Sequence, residues 1–287
     1  MLFRVKRNLR QQFALIGFFV LFALPALAND SAIDVYGGSA KMRNPGNTEV
    51  AMLSETVIIT LGQKNYNVDA TFEFFNYGKT ETINVGFPQT GYNGKKDATL
   101  YNFQTWINGK RVEVKCLPTL VVFHGEEYPE EKLPITNEDT WLLHKVRWLV
   151  KQVPFPGNQK TITRVNYNAP YGESWQLLNY RFLEYVYGTG KPWKGNIGKA
   201  TFIIKLFDSS IRKPNLKSVD FGKDVKFETI RVDELQYEYI LKDFEPHDWA
   251  TMDVELDFFW PIWAKINKIA EYVKRSYEDF PKKESVK

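Results

Sequence analysis

A two-residue period constrains this chain more than any other feature. Tyr66, Val68, Ala70, Phe72 and Phe74 alternate with Asn67, Asp69, Thr71, Glu73 and Phe75. Successive side chains of a strand point to opposite faces, so this pattern builds a strand with one apolar and one wet face. The run ends at Asn76-Tyr77-Gly78, a turn signal. Ile83, Val85 and Phe87 alternate in the same way until Pro88 stops them. Upstream, Glu55 to Leu61 is β-branched, and Gly62-Gln63-Lys64-Asn65 can turn it into the next strand. Together the three runs predict an antiparallel meander with one solvated face.

The same reading continues along the chain. Phe103 to Ile107 and Arg111 to Lys115 flank Asn108-Gly109-Lys110, and Asn-Gly supplies the positive φ that tight hairpin turns require. Residues 142–155 alternate through Val146, Trp148 and Val150, and Lys160 to Tyr167 through Ile162, Val165 and Tyr167. In 179–187, Tyr180, Phe182 and Glu184 alternate with Arg181, Leu183 and Tyr185. Gly198 to Leu206 reads as a strand buried on both faces, and 225–232, 236–241 and 251–258 bring the expected total to about twelve strands. Between them, 117–140 carries Pro118, Pro129 and Pro134 with Glu126, Glu127, Glu130 and Glu131. It reads as a long acidic loop with a short strand at Leu120 to Phe123, and as a domain boundary. Only the C-terminus has helical spacing. Ile262, Ile266, Ile269 and Val273 form one apolar stripe after Pro261, and Pro281 ends it.

Charge separates along the chain. The sequence holds 38 Lys and Arg against 34 Asp and Glu. Four of the bases (Arg4, Lys6, Arg7 and Arg10) precede an apolar stretch from Phe13 to Leu24, then Pro25 and Ala26-Leu27-Ala28. This is the pattern of a cleaved secretory signal, and the apolar stretch is shorter than the roughly 20 residues a membrane span needs. Without residues 1–28 the remainder is formally neutral, which removes the basic field a nucleic-acid partner would require. Cys116 is the single cysteine, so no internal disulfide can form; it is expected to be a buried free thiol.

Chemical motifs are mostly absent. His124, His144 and His247 lack the paired spacing of a zinc site, and no cofactor or metal is expected. Gly172-Glu173-Ser174-Trp175-Gln176 lacks the second glycine of a nucleophile elbow. Gly188-Thr189-Gly190-Lys191 has Pro192 where a phosphate loop needs Ser or Thr, and reads as a turn. Glu126, Glu127, Glu173 and Glu184 are conceivable glycosidase carboxylates, but no spacing singles out a pair. The unusual positive feature is aromatic content, with 8 Trp, 15 Tyr and 21 Phe. Core packing accounts for most of these. Trp141, Trp148, Trp175 and Trp193 are the candidates for an exposed ligand-binding platform.

Several stretches resemble a family of exported bacterial proteins, the DUF4424 family. They are Asn29-Asp30-Ser31 with Gly37-Gly38, Val50-Ala51-Met52 with Ser54-Glu55, and Tyr66 to Phe72 with Phe74, Asn76 and Gly78. Val85-Gly86-Phe87-Pro88 belongs with them, as do Thr189-Gly190, Trp193, Gly195, Ile197 and Gly198, and Phe244-Glu245-Pro246. The Phe87-Pro88 ending is also similar to the VIT domain of inter-alpha-trypsin-inhibitor-type proteins, which would imply a protein-interaction module. The DUF4424 likeness implies an exported β-rich protein and no activity.

The expected molecule is mainly β, of the antiparallel sandwich type. It comprises a signal peptide (1–28), a β-sandwich domain (29–140), a second abutting β-domain (141–260), an amphipathic helix (261–280) and a disordered tail (281–287). A single larger sandwich fits the strand count equally well. The expected role is non-catalytic, in the periplasm or outside the cell, through a protein partner or a structural place in the envelope. Carbohydrate binding or cleavage is one alternative, and weak membrane-surface contact through the C-terminal helix is another.

Overall fold

In the computed structural model the residues described are 30–36, 39–91, 100–118, 120–123, 126–129, 145–173, 181–206, 214–222, 225–233, 235–247 and 250–258. The expected signal peptide (1–28), helix (261–280) and tail (281–287) lie outside them.

Nineteen strands run through these residues. The first ten are β1 (Ser31–Tyr36), β2 (Ser39–Met42), β3 (Val50–Leu61), β4 (Asn65–Asn76), β5 (Glu81–Gly91), β6 (Tyr101–Ile107), β7 (Lys110–Val112), β8 (Lys115–Pro118), β9 (Leu120–Phe123) and β10 (Glu126–Pro129). Then come β11 (Lys145–Phe155), β12 (Lys160–Pro170), β13 (Gly172–Glu173), β14 (Arg181–Val186), β15 (Ile197–Leu206), β16 (Pro214–Asp220), β17 (Glu228–Arg231), β18 (Gln236–Phe244) and β19 (Thr251–Phe258). Gly188–Gly190 forms one 3-10 turn, buried throughout, where the sequence signals a turn.

An eight-stranded sheet in the order β17-β18-β15-β3-β4-β12-β6-β7 is the frame. Its apolar face carries Val57, Ile59, Val68, Phe72, Val165, Tyr167, Phe202 and Ile204, all fully buried. A five-stranded sheet (β2-β1-β5-β11-β8) and a four-stranded sheet (β13-β14-β19-β16) both pack on that face. Phe87 of the former meets Tyr167 at 5.2 Å between ring centroids, and Tyr185 of the latter meets Phe202 at 5.8 Å. The opposite face of the large sheet is wet, as the alternation of β4 requires.

Several expectations are corrected. The three-stranded meander does not form: β3 and β4 pair, but β5 leaves for the other sheet and pairs with β1 and β11. The reason lies at Asn76, which is fully buried at the corner. Its side-chain amide donates to the carbonyls of Lys79 and Phe155 at 2.8 Å each. Its oxygen accepts from the Gly78 N–H at 2.8 Å, and its carbonyl accepts from the Asn158 N–H. Two crossings between sheets, β4 to β5 and β11 to β12, are thereby tied at one corner. The five- and eight-stranded sheets both draw strands from either side of residue 140. β12 lies between β4 and β6, β11 pairs with β5, and one hydrophobic cluster includes residues from both sides.

The fold is also not purely antiparallel. β15 runs parallel to β3, with Lys199 beside Ser54 and Leu206 beside Leu61, so the large sheet is mixed. Ala200, Phe202 and Ile204 are buried while Thr201, Ile203 and Lys205 are not, so β15 is a one-faced strand. Within 117–140, the short strand expected at Leu120 to Phe123 forms as β9, and it pairs with β10, which the sequence reading leaves in the loop. Cys116 is exposed, on β8 at the edge of the five-stranded sheet. The Asn-Gly hairpin forms as expected. Asn108 and Gly109 have φ of 47° and 79°, and Ile107 pairs with Lys110.

Candidate functional site

Trp148 and Trp193 are 1% and 2% exposed, so neither serves a binding platform; Trp141 and Trp175 lie outside the described residues. Trp148 packs with Ile33 and Val150 on the outer side of the five-stranded sheet. Gly86 makes that possible, because a Cβ there would come 2.8 Å from the indole. Trp193 fills the core between Phe74 (4.6 Å) and Phe155 (5.7 Å), and its indole N–H donates to the backbone carbonyl of Asp30 at 3.0 Å.

That last bond leads to a site that no sequence motif marks. Asp30 immediately precedes β1, and its side chain is fully buried. On β11, Lys151 points to the same interior, with its side chain 3% exposed. Its Nζ donates to Asp30 Oδ2 at 2.7 Å and to Thr105 Oγ1 at 2.7 Å. Thr163 Oγ1 donates to the same carboxylate oxygen at 2.5 Å. Thr105 in turn donates to the Arg164 carbonyl. Burial pushes the Lys151 ammonium below its usual pKa, and the Asp30 charge and hydrogen bond pull it back up. Asp30 Oδ1 accepts no hydrogen bond from the described residues. One charge pair and two threonines thus join β1, β6, β11 and β12.

A second interior group lies between the large and four-stranded sheets. The Tyr185 hydroxyl donates to Glu55 Oε1 at 3.0 Å, and Glu55 is 1% exposed. Tyr66 and Tyr167 are fully buried, and their hydroxyls have no partner among the described residues. Burial raises both phenols well above the usual tyrosine pKa, so they are neutral hydroxyls here.

A third group lies on the four-stranded sheet. Glu184 on β14 pairs directly with Asp253 on β19, which pairs with Asp220 at the end of β16. Three carboxylates therefore lie side by side across three strands. Glu184 is 7% exposed, and one oxygen each of Glu184 and Asp253 is buried without a partner among the described residues. Burial, then the charge of Asp253, pushes the Glu184 carboxyl up to about 8, so it is protonated at neutral pH. Asp253 is raised in the same direction, chiefly by burial. Of the four carboxylates considered from sequence, Glu184 is the one whose side chain is described; Glu173 stands on β13 and Glu126 and Glu127 on β10, with side chains outside the described residues.

Ion pairs on the wet side are of another kind. Arg164 pairs with Asp69 and lies 4.9 Å over the Trp106 ring. Lys242 pairs with Glu228 with both side chains about 60% exposed. Among the described residues, no three His, Cys, Asp or Glu side chains converge to hold a metal ion, and no helix is long and apolar enough to cross a membrane. His247 is exposed, while His124 and His144 lie outside the described residues.

Lys151 and Glu55 did leave a signal. Lys151 is in phase with Leu149 and Val153, and Glu55 is in phase with Val57, Ile59 and Leu61. A charged residue in step with an apolar face marks a buried charge.

No protein-family model and no curated protein matches the sequence. Among solved structures, the fold is similar to that of a Legionella pneumophila protein provisionally assigned as a nutrient binding protein. The two are 15% identical with a TM-score of 0.51, over 82% of this chain and 70% of the other. An M1 zinc metallopeptidase of Deinococcus radiodurans aligns over 73% of this chain and 43% of its own, at 13% identity. Its TM-score of 0.32 is too low to support an argument.

Proposed function

We propose that this chain is an exported, non-catalytic β-rich protein that binds a protein partner in the cell envelope, a reading in keeping with its likeness to the DUF4424 proteins. The observation that supports it best is where the buried charge goes. Asp30, Lys151, Thr105 and Thr163 are hydrogen-bonded to one another across four strands, and Glu55 is held by Tyr185. These groups join sheets, and the Asp30, Lys151 and Glu55 side chains are buried away from solvent, where their role is to hold strands together. The shared fold of the Legionella protein, itself assigned to binding, supports the same class. Sheet edges at β17 and β7 offer the unpaired backbone groups that strand addition uses.

The experiment is purification of the full chain, cross-linked in its own envelope, against a strain lacking it. A stoichiometric protein partner retained after washing supports the reading. A chain that purifies alone and turns over a substrate overturns it.

A second reading, carbohydrate-active, is favoured by Glu184. A protonated carboxyl opposite an acidic partner is the acid half of a glycosidase pair. It predicts hydrolysis of at least one polysaccharide in a panel, with activity lost in Glu184→Gln.

A further inference from the structure

The sequence holds one cysteine, Cys116, which is exposed, so no disulfide can staple the chain internally. The interior offers another pair of groups that can be joined covalently. We propose that Lys151 and Asp30 form an intramolecular isopeptide bond, made by the folded protein itself, that ties the entry of β1 to β11.

The geometry supports each requirement of the reaction. Nζ stands 2.7 Å from Oδ2, so the carboxyl carbon is one bond further on, within about 4 Å and near the separation from which reacting atoms combine. Both side chains are buried, at 3% and 0% exposure, which excludes the water that would compete as nucleophile. The Asp30 backbone is fixed by the Trp193 indole on its carbonyl, and Thr105 and Thr163 fix the reacting groups. Burial lowers the proton affinity of Lys151, which favours the free amine.

The atoms balance without an added reagent. The ammonium gives one proton to the carboxylate, leaving a neutral amine beside a neutral acid. The amine lone pair attacks Cγ, and a C–N bond forms. The nitrogen gives up a second proton, one carboxyl oxygen takes it, and the C–O bond breaks to release water. Nζ keeps one hydrogen as an amide N–H. Nothing is oxidised or reduced. Thr163 Oγ1, hydrogen-bonded to Oδ2, is placed to pass a proton to the departing oxygen. A buried ion pair costs desolvation of two charges, whereas the product is one neutral amide, so burial drives the condensation forward.

The test is the intact mass of the full chain under denaturing, reducing conditions, compared with Lys151→Arg. Arginine keeps the charge but not the amine nucleophile, and any leader processing cancels in the comparison. Beyond the substitution itself, the parent is expected to be lighter by one water. Peptide mapping of the parent alone should yield a branched peptide joining Asp30 to Lys151, so the result does not depend on the variant folding. In Asp30→Asn the same bond would release ammonia, and the deficit should change to that of ammonia. A parent at full mass overturns the proposal, as does a deficit that maps to any other residues.

Discussion

Of the places where the described residues bury acidic side chains, two solve the problem in opposite ways. Asp30 meets Lys151, two threonine hydroxyls serve the pair, and the charges sit inside the main core. Glu184 meets Asp253 with Asp220 beyond it, all of one sign, in a row across a smaller sheet. In the first site charge meets charge as the side chains come together, before any bond between them forms. In the second the described residues supply no cation, and a proton on Glu184 does the compensating. Burial alone therefore does not decide whether an ionisable group strengthens a fold. What decides is whether the neighbour across the sheet carries the opposite sign.

The largest effect that would sharpen the contrast comes from breaking the first site. Lys151→Met leaves Asp30 buried beside two threonines and no cation. It should cost about 3–5 kcal/mol of unfolding free energy in a urea titration. The double variant Lys151→Met with Asp30→Leu should recover the part of that loss due to the uncompensated carboxylate. If Lys151→Met alone is neutral, the two sites do not differ as described.

The second site should respond with the opposite sign. The folded-state pKa of Glu184, about 8, lies above its unfolded value, so the folded protein binds the extra proton. Stability contributed by this group is thus full below about pH 4.5 and declines as pH rises towards 8. Glu184→Gln removes the decline. The variant should gain on the parent by a few kcal/mol at most at pH 8.5, and the gain should vanish near pH 4.5. Thermal melts at the two pH values check this, and a variant weaker than the parent at pH 8.5 would contradict it.

Smaller effects bracket the comparison. Tyr185→Phe removes the hydroxyl that serves Glu55 and should cost about 1.5–3 kcal/mol in the same urea titration. Lys242→Ala breaks an ion pair exposed on both sides and should change stability by less than about 1 kcal/mol. A large loss there would show that solvent screening is not what separates the interior pairs from the surface ones.

The period of two was enough to read most of the longer strands, the wet face of β4 and the Asn108-Gly109 hairpin, because those depend on local backbone and side-chain direction; β1, β2, β10, β13 and β16 carry no such signal. It did not tell which strand each one would join. β4 and β5 look like neighbours in sequence, yet the buried side chain of Asn76 turns the chain out of one sheet and into another. β11 shows why Trp148 is buried although its strand alternates. Its even residues, Trp148 and Val150, face a small cluster, and its odd residues, Lys151, Val153 and Phe155, face the main core. A strand covered on both sides gives no single apolar face to read. Cys116 stands next to Leu117 at a strand end, but that strand is an edge, and edges leave side chains in solvent.

The parallel contact between β15 and β3 sets an order of events. Pairing Ser54 with Lys199 requires that almost the whole intervening chain be present and placed before the central sheet can close. Until then β3 has a bare edge on one side, with Val57, Ile59 and Leu61 on an uncovered face. A chain threaded N-terminus first through a narrow opening would hold that edge open until residue 206 emerged. Its folding should therefore be slow for its length, and it should depend on a holding chaperone where it emerges more than a protein built of local hairpins would.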